Sequence, residues 1–131
     1  MRFGTLIVLA ASFMGGCAQR HLPAGSELGM AEVLLRHQLP ALRCPCYVLV
    51  GDRDLPAERA AALTMATGVT FLPSSAWSAA KDGLRVRIGL PRPRWNGNFD
   101  VAVAYDCGTP QCVQAANSLM RYDGSRWRVI D

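Results

Sequence analysis

Five thiols set the first chemical question in this chain, at Cys17, Cys44, Cys46, Cys107 and Cys112. Cys107 and Cys112 flank Gly108-Thr109-Pro110-Gln111, a turn-rich loop able to bring two Cα atoms within bonding range, and a disulfide is expected between them. Cys44-Pro45-Cys46 supplies a second candidate pair. Residues two apart in an extended segment sit near the upper limit of Cα separation, so a bridge there is strained, and both thiols can instead reach across to the second pair. Copper(I) would suit such thiolates, but an oxidising compartment favours disulfides, and no Met-rich cluster accompanies them. Neither pair has the Cys-x-x-Cys spacing of a redox centre at a helix start.

The other chemical candidates have plainer readings. Ser74 and Ser75 have no histidine nearby in sequence and no Gly-x-Ser-x-Gly context, so a turn or cap is expected of them. Asp52, Asp54 and Glu58 lack the ordered set of oxygen ligands that a calcium loop needs, and fit a helix start better. Arg92, Arg94 and Trp95 lie on a Pro-flanked loop followed by Asn96 and Asn98, with Arg85 and Arg87 on the preceding strand. Arginines beside a tryptophan form a recognition surface for anionic lipid, lipopolysaccharide or peptidoglycan carboxylates. The plainer reading, a solvated basic strand face with Trp95 folded onto the sheet edge, is the one the sequence by itself favours. No catalytic residue, metal or cofactor is expected.

At the N-terminus, Arg2 is followed by an uncharged apolar run, Phe3 to Met14, and by Gly15-Gly16-Cys17. A spanning helix needs about 20 apolar residues and a signal h-region about 7 to 15, so this run reads as a signal helix. Met14-Gly15-Gly16-Cys17 resembles the lipobox of bacterial lipoproteins, with Met14 where that pattern usually has Leu. The resemblance implies a diacylglyceryl (palmitate-bearing) Cys17, loss of residues 1 to 16 and an acylated N-terminus. Several acyl chains hold a bilayer far better than one. Ala18, not Asp, follows the cysteine, which by the same resemblance favours an outer-membrane protein facing the periplasm. The domain plan is then a signal peptide over 1–16, a lipidated tether over 17–25 and one domain over 26–131. With Cys17 acylated, four thiols remain, an even number that suits two disulfides with three possible connectivities.

The formal charge of the whole chain is +4. So mild a balance, without a clustered basic face, gives no nucleic-acid footprint. The basic residues are thirteen arginines and the single Lys81, which reads as genomic base composition.

These residues must be positioned by a small set of elements. Ser26 is placed to cap a helix over 27–38, with Leu28, Ala31, Leu34 and Leu35 on one face and Pro40 beyond its end. A short buried strand follows at 47–50. Pro56, Glu58 and an alanine-rich run to Thr67 predict a second helix stopped by Gly68, and Val69 to Leu72 a strand. The period then changes to two: Leu84, Val86, Ile88 and Leu90 alternate with Arg85, Arg87 and Gly89, and Phe99, Val101, Val103 and Tyr105 with Asp100, Ala102 and Ala104. Residues 91–98 join these strands as a loop. A strand over about 113–122, a turn at Asp123-Gly124 and a strand over 126–130 complete the pattern. The fold class is α+β, with two helices packed on a curved, mainly antiparallel sheet of about five to six strands after the signal helix.

That order, ending in Tyr122-Asp123-Gly124 and Trp127-x-Val129, resembles nuclear transport factor two-like and cystatin-like α+β domains. It is also similar to small secreted proteobacterial proteins with a Pro73-Ser74-Ser75 segment. The first resemblance implies helices on the concave side of a sheet, often around a pocket. Enzymes of that kind usually place an Asp, Glu or His there, whereas His21 and His37 fall in the tether and first helix. Two function classes follow: a non-enzymatic envelope lipoprotein that binds a protein, glycan or lipid partner, and a small hydrolase or isomerase with a pocket between helices and sheet. Missing catalytic histidine and missing acidic pairs in the strands favour the first.

Overall fold

The computed structural model describes residues 22–42, 44–78, 83–107 and 114–130. The signal helix, Cys17 and most of the tether lie outside the described residues. Leu22, the first described residue, lies half-buried against the core.

Helix α1 (Ser26–Gln38) forms where Met30, Ala31, Leu34 and Leu35 recur on one face and are buried. Ser26 does not cap it. Gly25, with φ 82°, takes the cap position, and Ser26 becomes the first helical residue without a side-chain cap bond. Leu28 packs at the margin, while Met30, outside the expected stripe, occupies the centre. Pro40 falls in a single 3₁₀ turn, Leu39–Ala41. Helix α2 (Ala57–Thr67) follows Pro56, carries Glu58 in its first turn and ends at Gly68, whose φ of 78° and N–H to the Thr64 carbonyl make a left-handed stop. Thr64 fixes the next strand, since its Oγ1 accepts the Phe71 N–H at 2.8 Å.

Eight strands make one mixed sheet: β1 (Cys46–Val50), β2 (Arg53–Asp54), β3 (Phe71–Pro73), β4 (Leu84–Ile88), β5 (Arg92–Pro93), β6 (Phe99–Asp106), β7 (Gln114–Tyr122) and β8 (Trp127–Val129). The main order is β2-β1-β4-β6-β7-β8, with β3 beside β1 and β5 beside β6. The strand number therefore exceeds the expected five to six. β2 and β5 are two-residue strands too short to show a period, and they extend rows already occupied by longer ones. The pairing also departs from a simple meander. β1 runs parallel to both β3 and β4, because α2 and the segment after it carry the chain back across the sheet, as parallel neighbours require. From β4 to β8 the pairings are antiparallel.

One face of the sheet buries Val48, Val50, Val86, Ile88, Val101, Val103 and Met120 against α1 and α2. At one end the aromatic rings of Phe99 and Trp127 meet edge to face at 5.2 Å, and Trp127 Nε1 donates to the Ser26 carbonyl at 3.0 Å. That bond ties the start of α1 to the start of β8. At the other end Tyr105 Oη donates to Gln38 Oε1 at 2.8 Å, and burial raises the phenol pKa. Among the described residues, no helix is long and apolar enough to cross a membrane.

Candidate functional site

Directly paired residues share a sheet face, so register maps the side away from the helices. Arg85 stands opposite Tyr47 and Asp106, Arg87 opposite Leu49 and Ala104, and Arg92 opposite Asp100. Alternation along β7 and β8 adds Arg121 and Arg128, which are paired with each other. Ala102, Ala115 and Asn117 form an exposed floor of small side chains between these arginines.

The five residues proposed from sequence do not behave alike. Arg85 is tied down: its Nη2 donates to Asp106 Oδ2 at 3.0 Å, and its guanidinium carbon lies 4.3 Å from the centre of the Trp77 ring. Trp77 follows the 3₁₀ turn Ser74–Ala76, and Tyr47, opposite Arg85 on β1, is only 5% exposed. Arg85 Nε and Trp77 Nε1 are both buried without a hydrogen-bond partner among the described residues. Ser74 and Ser75 serve the turn, the Ser74 carbonyl accepting the Trp77 N–H at 3.0 Å.

Arg87 and Arg92 are exposed and make no ion pair among the described residues. Arg94 donates to Asp100 Oδ1 at 3.2 Å, an exposed pair of the kind that contributes about 0 to 1 kcal/mol. Trp95 is 84% exposed, at the tip of a turn rather than folded onto the sheet edge. The segment expected as a loop is a hairpin. β5 pairs with β6, the Arg94 N–H donates to the Asn98 carbonyl at 2.8 Å, and Gly97 supplies the left-handed residue at φ 84°. Asn98, 6% exposed, accepts Arg121 Nε at 2.8 Å on its side-chain oxygen, and Asn96 Oδ1 accepts the Asn98 N–H at 3.2 Å. The two asparagines therefore brace the turn. Arg121, Arg128 and β5 escaped the sequence reading, although the alternation Met120-Arg121-Tyr122 and Trp127-Arg128-Val129 held the signal for the two arginines.

Cys44 and Cys46 are bridged to each other, with an S–S distance of 2.08 Å and Cα atoms 4.4 Å apart. The expectation of a separation near the upper limit assumed an extended segment. The chain instead bends at Cys44 and Pro45, with a cis peptide between them, and becomes a strand only at Cys46. Cys107 is also in a disulfide, while Cys112 lies outside the described residues.

A surface cleft of about 260 Å³ lies beside the start of α1, lined by Ser26, Gly29, Arg59, Tyr122, Ser125 and Trp127 among others. Small-molecule sites usually span about 300 to 1,000 Å³. Its charged group, Arg59, lies 3.0 Å from Glu32 in an ion pair. Among the described residues, no three His, Cys, Asp or Glu side chains gather to hold a metal. His37 is exposed at the end of α1, and His21 lies outside the described residues.

No family model matches the chain. It is 26% identical over 127 residues to a catalase-peroxidase of Rhodopseudomonas palustris, covering 88% of this chain and 16% of that protein. A catalase-peroxidase of Hahella chejuensis is 26% identical over 118 residues, covering 82% of this chain and again 16% of the longer protein. The chain thus spans 16% of the length of the curated relatives it matches. No solved structure matches.

Proposed function

We propose that this chain is a bacterial envelope lipoprotein, acylated at Cys17 in the outer membrane facing the periplasm, whose domain is a non-enzymatic binding module. Its contact surface is the basic sheet face ending in the β5–β6 hairpin. The observation that carries this reading is an exposed Trp95 at a braced turn beside Arg92 and Arg94. Tryptophan and arginine are the side chains most enriched at binding hot spots, and guanidinium forks fit carboxylate and phosphate oxygens. Within this surface Arg87, Arg92, Arg94 and Trp95 make contact, and Arg85 positions the face through Asp106 and Trp77. The catalase-peroxidase likeness covers too small a share of those proteins to bring their activity into this reading.

The test removes the anchor. A chain with residues 1–17 replaced by a cleavable secretory signal, so that neither the apolar run nor Cys17 remains, should still sediment with isolated envelopes, less so as salt rises, since exposed charges are screened beyond about 8 Å at physiological ionic strength. Arg92→Ala with Arg94→Ala should lower that binding at an unchanged melting temperature. Equal sedimentation of both chains at every salt concentration would contradict the proposal.

A further inference from the structure

The geometry points to the bilayer itself as the partner of the Trp95 hairpin: Trp95 sits at the headgroup boundary while Arg92 and Arg94 meet anionic lipid phosphates. The inference rests on the lipid-anchor reading and adds a place where the domain touches the membrane.

Three contacts fix the hairpin close to the point where the tether enters the fold. The start of α1 is bonded to Trp127 through the Ser26 carbonyl at 3.0 Å. Trp127 stacks 5.2 Å from Phe99, the first residue of β6 after the hairpin turn. Arg121, one residue before the end of β7, bonds Asn98 in that turn at 2.8 Å. The tether entry and Trp95 therefore share one end of the sheet. Cys46, Asp106 and Cys107 lie at the opposite end, as the pairing of Arg85 with Asp106 and of Cys46 with Leu84 requires.

Chain length then constrains where this end can go. Leu22 is packed on the core, and five residue steps separate it from Cys17. Fully extended, they reach about 18 Å at most. An acylated Cys17 would hold the tether end of the domain within that distance of the bilayer, and the hairpin with it. The side chains on the hairpin suit that position. Tryptophan, with an apolar body and a polar N–H, concentrates at membrane–water boundaries, and Arg92 makes no ion pair among the described residues. Arg94 can exchange the exposed Asp100, its ion-pair partner among the described residues, for a phosphate.

Depth-dependent fluorescence quenching tests this with the full lipidated chain in phosphatidylethanolamine–phosphatidylglycerol vesicles carrying brominated acyl chains. Trp127 is buried and Trp77 half-buried, so the exposed Trp95 should dominate the response. Brominated lipid should quench the wild-type emission, and Trp95→Phe should abolish that quenching at an unchanged melting temperature. In the chain freed of residues 1–17, each of Arg92 and Arg94 replaced by Ala should weaken partition onto these vesicles about fivefold at low salt. Radiolabelled palmitate on Cys17 reads the anchor separately. A labelled chain whose emission ignores brominated lipid overturns the hairpin contact and leaves the anchor standing. An unlabelled chain overturns the anchor, and with no quenching it overturns both. Quenching equal in the wild type and Trp95→Phe also overturns the inference.

Discussion

Two arginines seven residues apart, Arg85 and Arg92, show how environment divides one residue type between structure and contact. Arg85 lies over Trp77 and against Asp106, with its side chain 30% exposed, so its truncation removes an ion pair and a cation–π contact together. Arg85→Ala should cost about 1 to 2 kcal/mol in urea unfolding, whereas Arg92→Ala should change stability by no more than about 0.5 kcal/mol. Sequence could place Arg85 on the wet side of a strand, because Val86 and Ile88 alternate with Arg85 and Arg87, but it left Arg92 in a loop. It could not place Trp77 over Arg85, since that contact joins the turn after β3 to β4 through the fold and not through local spacing. Asp123 gives a second test at this scale. Its Oδ1 accepts N–H bonds from Arg126 at 2.9 Å and Ser125 at 3.1 Å, and these lower its pKa. A depressed folded pKa contributes stability above the ordinary carboxylate value of about 3.9, and that contribution fades as pH falls through the folded value. Carboxyl titration by NMR should place Asp123 below the ordinary carboxylate value; a midpoint at or above it would reject the capped turn.

Among the elements, the long periodic strands were legible and the short ones were not. Phe99, Val101 and Val103 of β6 are buried on one face as their spacing implies, and the turn at Asp123-Gly124 closes β7 onto β8 as expected. β2 and β5 carry two residues each, too few for a period, and Pro93 inside β5 argues against a strand except at an edge. The Cys-Pro-Cys bend was hidden for a different reason, because local spacing says nothing of the backbone that surrounds it. The Pro45 carbonyl accepts the Leu84 N–H at 2.9 Å, and a Cβ built on Gly83 would lie 2.6 Å from that same oxygen. Gly83 also holds φ at 123°. Gly83→Ala should therefore lose well over 1 kcal/mol, from backbone strain and the clash together. An unchanged unfolding midpoint would show that this end of β4 yields easily. The candidate surface was legible as far as β4 and the hairpin tip, and stopped there because Arg121 and Arg128 join it only through strand pairing.

At the scale of the whole molecule, the exposed Trp95 lies at the end of the sheet where the tether enters, and the proposed acyl group on Cys17 would hold that end within about 18 Å of the bilayer. The disulfide of Cys44 with Cys46, and that of Cys107, strengthen the other end. On the proposed reading, rigidity belongs to the end away from the bilayer and contact to the end beside it. Cross-linking in living cells tests the division most directly, with a photoreactive residue at position 95 in the full chain and, as control, at the equally exposed position 65 on α2. Adducts to phospholipid at position 95 and none at position 65 are the predicted result. Equal adducts at the two positions, or none at position 95, would contradict the claim that the Trp95 hairpin is the surface by which this protein meets its partner.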